Sequence, residues 1–405
     1  MFATLFEGRS LENPATPITG EDCDDIGGNG LSVSPERAMK LSAVYSCIYV
    51  LASNISQLPL AVMRKSDGVT LPATDHPAYY LLHDSPNFWQ TSYKWRETKQ
   101  NHILGWGNGY SIIERSKRGE IEALTMAKPW NVELIKRDGR YVYAVTDDDT
   151  GQVKAVSPYD MVHIRAIGSH GKKGRSPIQQ NRDSMELGMS AQRYGNQFFA
   201  GGGRATGVLT LKNGGVSNKD LWASFQNYWN KAKRALKDSD NKTLMLPADL
   251  DYKSLTIPPE DAQFLDTRKY SRSEIAGIFN VPAHMINDLE KATFSNISEQ
   301  AIYFVRHSMM PWIVNWEQEL NRRIFTKAER AAGYYVKFNL AGLLRGTPKE
   351  RAEFYHYAIT DGWMDRNEAR AFEDMNSRDG LDEMLVSVNA QPLSALNQES
   401  TNDEQ

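Results

Sequence analysis

Cysteine is scarce in this 405-residue sequence, which contains only Cys23 and Cys47 and no C-x-x-C spacing. Disulfide-stabilised folds and cysteine-ligated zinc sites need more cysteines at characteristic spacings. The cysteine content therefore excludes both classes and is typical of a protein from a reducing compartment.

Long apolar runs are also missing. The longest, residues 43–52, is about ten residues, whereas a membrane-spanning helix needs about twenty. The N-terminal residues lack the basic start and apolar core of a signal peptide. These absences predict a soluble intracellular product, and the chain length predicts two or three domains.

A basic excess is absent as well, because 47 Lys and Arg stand against 50 Asp and Glu, for a formal net charge of −3. Proteins that bind nucleic acid tightly through its phosphates carry a clear basic excess. The composition therefore gives no indication of tight nucleic-acid binding. Apolar residues make up 40% of the chain, which is ordinary for a globular protein with a buried core.

Catalytic and metal-binding motifs are not found in the sequence. The eight His residues are scattered, with no H-E-x-x-H motif and no pair four residues apart, and neither G-x-S-x-G nor a phosphate-binding loop occurs. We therefore expect no enzymatic activity, no metal and no cofactor, and we interpret the chain as an assembly protein.

Three short segments leave alternatives open. Residues 105–115 run in the order helix, glycines, strand, whereas a phosphate-cradling loop precedes a helix, so we favour a tight turn. Residues 168–177 place basic side chains before a helix start; we favour a solvated turn, and contact with phosphate or a DNA backbone stays open. Residues 147–149 favour an acidic hairpin turn over calcium binding, because no closing Glu follows.

Hydrophobic periodicity predicts a compact α+β region up to about residue 176. Helices are predicted at residues 42–57, 76–86 and 91–106, strands at 58–64, 109–116, 120–127 and 160–166, and a hairpin at 141–156. Ser176 and Pro177 then start a helix that ends at the three glycines 201–203.

A strand–helix–strand excursion follows this helix. Its strands are predicted at residues 207–211, 243–247 and 251–257, and an amphipathic helix starts at Ser217. One face of the helix carries Leu221, Trp222, Phe225, Tyr228, Trp229 and Ala232. This face favours packing over base stacking, because stacking platforms need exposed aromatics with basic neighbours. Contact of its basic end with an acidic partner stays open.

Two further helices flank a long connection. The first is predicted at residues 261–279 and ends at Asn280 and Pro282, and the second starts at Asn296 and reaches about Phe325. Pro311 is predicted to kink the second helix. A strand near residues 333–340 and short helices from Thr347 and Arg366 complete the folded region.

Seven segments, in this order, resemble the portal (head–tail connector) proteins of long-noncontractile-tailed bacteriophages. They are residues 43–60, 76–97, 107–124, 162–179, 194–209, 259–286 and 363–376. The resemblance implies an α+β portal-type subunit with an α+β wing, stem helices, a small α/β clip, a tunnel loop, a long kinked helix and a helical crown. It also implies a ring of about twelve copies with a closed heterologous interface.

The resemblance further implies a function and a set of partners. The ring would lie at one capsid vertex, nucleate capsid assembly, and conduct double-stranded DNA during packaging and ejection without sequence specificity. Its partners would be the terminase large subunit, a head–tail adaptor and the major capsid protein or scaffold. The location would be the virion, with the host cytoplasm during assembly. Another head-completion or capsid structural protein is the alternative, and an enzyme of the packaging machinery is a further rival without a visible motif.

The resemblance divides the chain into segments. These are a flexible arm (1–34), the wing (35–176), a first stem helix (177–200), the clip (201–259), a second stem helix (260–279), the tunnel loop (280–296), the long helix with a return to the wing (297–345), the crown (346–385) and a disordered tail (386–405). The tunnel-loop residues expected near DNA are His284, Met285, Ile286, Asn287, Asp288, Lys291 and Thr293. The motor-docking residues expected on the clip are Lys231, Lys233, Arg234 and Lys237.

The charge of the predicted channel wall is balanced. Residues 265–325 contain seven Lys and Arg and seven Asp and Glu. A wall without net charge avoids the counterion-release affinity that would hold DNA in place. We therefore expect a sliding contact with DNA at this wall.

Overall fold

The computed structural model describes residues 33–66, 68–137, 139–200, 207–211, 250–254, 261–288, 300, 302–340, 348–373 and 375–385. The chain divides into two compact units. The first, here called the α/β unit, comprises residues 48–176 and the described residues from 280 onward. The second, the helical unit, comprises residues 33–47 and the described residues of 177–279. Residues 35–47, which the sequence assigns to the wing, therefore group with the helical unit.

The helices and strands follow the predicted order. The helices are α1 (Pro35–Ala38), α2 (Ser42–Gln57), α3 (Pro77–His83), α4 (Ser92–Trp106), α5 (Pro177–Gln180), α6 (Arg182–Ala200), α7 (Asp261–Ile278), α8 (Met310–Ile324), α9 (Lys327–Ala331), α10 (Pro348–Thr360) and α11 (Arg366–Phe372). The strands are β1 (Leu60–Ser66), β2 (Val69–Pro72), β3 (Asn108–Arg115), β4 (Ile121–Ala127), β5 (Val132–Arg137), β6 (Arg140–Thr146), β7 (Val153–Val156), β8 (Met161–Arg165), β9 (Gly207–Leu211), β10 (Leu250–Ser254) and β11 (Tyr334–Phe338).

The strands of the α/β unit form three antiparallel sheets within the described ranges. Their strand orders are β11-β1-β2, β4-β3-β8 and β5-β6-β7. The pairing of β1 with β11 places Val62 opposite Val336, so the chain returns to its N-terminal part after α8. Strands β2 and β5 were not predicted, and β5 extends the predicted hairpin into a three-stranded sheet.

The hairpin between β6 and β7 shows why its acidic turn folds. The Oδ1 atom of Asp147 accepts hydrogen bonds from the N–H groups of Asp149 and Thr150 and from the Thr150 hydroxyl. These bonds lower the pKa of Asp147, with the Thr150 N–H as the largest cause. The aspartate is therefore a turn former, as Asp commonly is.

The core of the α/β unit lies between its central sheet and two helices. Helix α4 packs on β3, and α8 packs on β8. Trp95 of α4 and Trp316 of α8 are fully buried and meet edge to face, with ring centroids 5.5 Å apart. Removing a buried Trp side chain costs about 3–5 kcal/mol, so this contact is a main source of stability.

The helical unit is organised around the pair α6 and α7. Gly188 of α6 lies so close to α7 that a Cβ atom there would be 2.9 Å from the Ser271 hydroxyl oxygen. The Ser184 hydroxyl donates to Glu274 at 2.9 Å. The predicted helix from Pro177 is present but interrupted at Asn181, whose side-chain amide donates to the Pro177 carbonyl.

Several predictions fall outside the described residues. These are the N-terminal arm, the C-terminal tail, the helix from Ser217 with its aromatic face, the strand at 243–247 and the cap at Asn296. In the part of the chain that the structure does describe, no helix is long and apolar enough to cross a membrane.

Candidate functional site

The first flank of the predicted channel segment is the end of α7. Asn280 has a φ angle of 53°, in the left-handed region that Asn tolerates better than most other non-glycine residues. Pro282 cannot donate a helical hydrogen bond, so the helix stops before it. The predicted helix end is therefore confirmed.

The segment itself begins with a 3₁₀ turn, Ala283–Ile286. Asn287 closes the turn in a second left-handed conformation, with φ of 60°, and the Asp288 N–H donates to the Ala283 carbonyl at 3.0 Å. The Ile286 side chain is only 3% exposed. The segment is thus anchored at its start by an apolar side chain.

The second flank is the helical stretch that contains Pro311. An ordinary α-helix would bond the N–H of residue 311 to the carbonyl of His307, but proline has no N–H. The residues before it, Phe304–Met309, form a π-helical turn. A π-helical turn therefore lies directly before the proline, while the kink at Pro311 stays a prediction.

Asn280 contacts the carbonyl to which the N–H of residue 311 would bond in an ordinary α-helix. Its side-chain amide donates to the His307 carbonyl at 2.9 Å, and the Ser308 hydroxyl donates to the Asn280 carbonyl at 2.5 Å. Asn280 and the π turn of the second helix are thus joined by two hydrogen bonds. We call this pair of bonds the Asn280 clasp.

The clasp predicts a measurable coupling between Asn280 and Pro311. Asn280→Ala should lower the free energy of unfolding by about 2 kcal/mol, because it removes a hydrogen bond and places Ala in the left-handed region. Asn280→Gly should cost about half as much, since glycine tolerates this conformation. Chemical denaturation of the purified variants measures both values.

The matched background for this test is Pro311→Ala, which restores an N–H that can donate to His307. In that background Asn280→Gly should cost about 0.5–1 kcal/mol less than in the parent chain. Strictly additive effects of the two substitutions would contradict the clasp.

The structure describes the first part of the predicted tunnel loop, up to residue 288. His284 and Met285 are half-buried, Asn287 is exposed, and Asp288 is half-buried. Ile286 was predicted to face DNA, but its burial removes it from any surface that DNA could reach. Lys291, Thr293 and the clip residues Lys231, Lys233, Arg234 and Lys237 lie outside the described residues.

Comparison with known proteins identifies the family. The sequence profile described as "Phage portal protein" matches residues 42–374. The chain is 31% identical over 376 residues to a probable portal protein of Streptomyces phage phiC31, covering 88% of this chain and 80% of the relative. The chain belongs to the phage portal protein family.

Two solved structures share the fold of this portal chain. A crystal structure of an HK97-family phage portal protein from Corynebacterium diphtheriae gives a TM-score of 0.58 at 18% identity, covering 78% of this chain and 100% of that one. A chain in the neck of a gene transfer agent particle, computed with C12 symmetry, gives a TM-score of 0.57 at 18% identity, covering 90% and 96%. This chain therefore shares a mixed helix-and-sheet fold with both.

The basic turn that was predicted at residues 168–177 contacts the α/β unit of this portal chain through Gly174 and Lys172. The Asn108 side chain accepts a hydrogen bond from the Gly174 N–H and donates to the Gly174 carbonyl, both at 2.8 Å. The ammonium group of Lys172 lies 4.9 Å from the centre of the Tyr141 ring. These contacts favour the structural turn over the phosphate-site alternative for residues 168–177.

The glycines at residues 105–109 permit this packing. Gly107 ends α4 in the left-handed region, with φ of 79°, and a Cβ atom there would lie 2.4 Å from the Arg175 carbonyl carbon and oxygen. Its carbonyl accepts the Ala166 N–H at 2.8 Å. The predicted helix-to-strand turn is confirmed. It also contacts residues 166 and 175 of the segment that precedes α5.

A buried polar cluster next to this turn was not predicted. His163 contacts the Tyr143 hydroxyl through Nδ1 and the Asn108 Oδ1 atom through Nε2, both at 2.9 Å. Burial lowers the pKa of His163 well below its usual value, so the ring is neutral. A neutral ring with Nε2 as donor and Nδ1 as acceptor satisfies both contacts, because Oδ1 can only accept.

Lys99 of α4 is the second unpredicted group, and its side chain is fully buried. Its ammonium donates to the Ser111 hydroxyl at 3.1 Å and to the Val162 carbonyl at 3.3 Å. Burial lowers the pKa of Lys99 to about 7, with Glu319 opposing the shift.

Within the described ranges, no three side chains of His, Cys, Asp or Glu come together as a metal site requires.

Proposed function

We propose that this portal chain forms a closed ring of about twelve subunits at one capsid vertex and conducts double-stranded DNA during packaging and ejection. The family match over residues 42–374 carries the proposal. The fold shared with a chain of a C12-symmetric neck particle supports the ring and a location in the virion. The host cytoplasm would be the place of assembly.

The proposed roles of the segments follow the order of the chain. The stem, clip, tunnel loop and crown keep the boundaries given by the sequence, and the wing keeps them from residue 48 onward. The clip residues Lys231, Lys233, Arg234 and Lys237 are proposed to face the terminase large subunit. A head–tail adaptor and the major capsid protein or scaffold are the other proposed partners. The family is one of structural proteins, and we propose no enzymatic role.

Electron microscopy of the purified chain in negative stain tests the ring directly. We expect closed rings with a central hole, because a heterologous interface that closes leaves no free ends. A stable monomer in sedimentation at micromolar concentration would contradict the proposal. Rings without a central hole would argue for another capsid component.

The proposed DNA contact is the segment from residue 283 to 295, without Ile286. Its proposed lining consists of His284, Met285, Asn287, Asp288, Lys291 and Thr293. The Asn280 clasp supports the proposal, because it ties the start of the segment to the second flanking helix. Reading base edges needs several donors and acceptors aligned in a groove, whereas this lining mixes apolar side chains with charges of both signs, so we expect no sequence specificity.

Lys291→Glu should impair packaging while rings still form. The substitution changes the charge by −2 in each subunit, and in a ring this change is repeated around the channel, where it repels the DNA phosphates. We expect a severalfold lower yield of packaged DNA in an in vitro packaging assay. Lys117→Glu is the matched control, because Lys117 is exposed in the turn between β3 and β4. Equal packaging by the two variants would argue against a channel position for Lys291.

A further inference from the structure

Phe88 and Trp89 form an exposed aromatic pair in the loop between α3 and α4. Phe88 is 94% exposed and Trp89 is 55% exposed, and their rings meet edge to face with centroids 4.4 Å apart. Large aromatic side chains are costly to leave in water and are enriched at protein interfaces. We call this pair the aromatic knob.

The loop that carries the knob is fixed to the protein by hydrogen bonds. The buried Asn87 accepts the N–H groups of Trp89 and Gln90 through Oδ1, and its side-chain amide donates to the Leu124 carbonyl at 3.0 Å. The Leu124 N–H in turn donates to the Pro86 carbonyl at 2.8 Å. The knob is therefore held against β4, and a partner that binds it has little loop entropy to remove.

Another exposed aromatic side chain lies at the opposite edge of the same sheet. The strand order is β4-β3-β8, and Tyr159, which is 79% exposed, lies in the 3₁₀ turn that leads into β8. This turn is also fixed, since the Ser157 hydroxyl accepts the Tyr159 N–H and Asp160 pairs with Arg115 at 2.9 Å.

The knob and Tyr159 lie at a similar height along the sheet. Leu124, which anchors the knob loop, is opposite Ile113 of β3, and Met161, two residues after Tyr159, is opposite the adjacent Ile112. One sheet thus presents exposed aromatic groups at its two edges. A head-to-tail ring contact joins two different surfaces of the same chain, one from each neighbouring subunit.

We propose that the aromatic knob of one subunit packs against Tyr159 of the next subunit. The inference rests on the proposed ring and adds to it one pair of contact surfaces. A second copy of this chain is the occupant because it supplies both surfaces, whereas an unrelated partner would account for only one of them. Aromatic anchors of this kind commonly supply much of the energy of an interface.

Cross-linking tests the contact in assembled rings. In a Cys23→Ser background, Phe88→Cys and Tyr159→Cys are combined, and the rings are treated with a short-spacer bismaleimide. The remaining Cys47 is buried, and burial raises the pKa of its thiol to about 12, so it does not react. We expect a ladder of covalent multimers in denaturing gels from the double variant and from neither single variant. Phe88→Cys with Val69→Cys is the control pair, because Val69 is exposed on β2, in a different sheet.

The outcomes separate this contact from the ring itself. Rings that are visible in negative stain but give no ladder would overturn the contact and leave the ring intact. A parent chain that forms no rings would overturn both. Covalent dimers from Phe88→Cys alone would indicate a knob-to-knob contact and would also overturn the proposal.

A second measurement uses the energy of the contact. Phe88→Ala with Trp89→Ala should raise the subunit concentration needed for ring formation by about tenfold or more, since aromatic anchors typically contribute at least that factor. Leu71→Ala, which also removes an exposed apolar side chain, should leave that concentration unchanged. Equal assembly by both variants would contradict the proposal.

Discussion

Lys99→Met should remove most of the rise in the free energy of unfolding that we expect for the parent chain between about pH 7 and 9. Burial lowers the pKa of Lys99 to about 7, while the unfolded chain keeps the usual value near 10.5. Between these values the unfolded state binds a proton that the folded state has lost, so stability increases with pH. The slope is about 1.4 kcal/mol per pH unit at most.

The pH window is chosen so that Lys99 dominates over the other buried groups. Burial lowers the pKa of His102 to about 4 and that of Arg96 to about 10, so both titrate outside the window. Burial raises the pKa of Cys47 to about 12. This shift makes the free energy of unfolding fall with rising pH, but only above the usual thiol pKa of 9.0. The rise from pH 7 to 9 is therefore assigned to Lys99.

Methionine keeps the length of the side chain and removes the charge. The Ser111 hydroxyl oxygen keeps a hydrogen-bond partner in this variant, because it also accepts the indole N–H of Trp95 at 3.1 Å. We therefore expect Lys99→Met to be at least as stable as the parent near pH 6, where the parent carries the full cost of a buried charge. Urea unfolding at several pH values measures this, with the exposed Lys117→Met as control. Parallel curves for parent and Lys99→Met would contradict the prediction.

The sequence could predict elements that have local end signals. The helix predicted at residues 91–106 agrees with α4, in which Thr91 caps the start by accepting the Lys94 N–H and Gly107 ends the helix in the left-handed region. These signals depend only on neighbouring residues. The same holds for the helix end at Asn280 and for the acidic turn after β6.

The sequence could not predict Lys99, because its environment comes from distant segments. Its partners Ser111, Val162 and Trp316 lie on β3, β8 and α8, which only the tertiary fold brings together. Helix α4 buries polar residues such as Lys99 and Gln100 beside Trp95, so it has no clean apolar face that would mark them as interior.

The channel segment was predicted only in outline for a similar reason. Its flanking helices were found from their end signals, but the bond from Asn280 to His307 joins residues that are 27 positions apart. The burial of Ile286 likewise depends on the surrounding fold. The end signals therefore located the segment, while its anchoring required the structure.

Gly107→Ala should be among the most destabilising single substitutions in this chain, with an expected loss of about 4 kcal/mol or more. Two costs combine at this position. The left-handed backbone, with φ of 79°, costs about 1–2 kcal/mol for Ala. The added Cβ would also lie 2.4 Å from the carbonyl group of Arg175 and 2.7 Å from the Ser176 nitrogen, and backbone atoms cannot move away as a flexible side chain can.

Relief of this clash would separate α4 from residues 174–176. The Asn108 bonds to Gly174 and the Ser176 hydroxyl bond to the Gly105 carbonyl would be lost or stretched, which is why the cost exceeds that of backbone strain alone. Gly119→Ala is the matched control, because Gly119 has φ of 86° but nothing within 4 Å of an added Cβ. Thermal unfolding of both variants should show a loss of about 1–2 kcal/mol for Gly119→Ala and at least twice that for Gly107→Ala. Equal losses would show that the contact with Arg175 contributes nothing beyond the left-handed backbone.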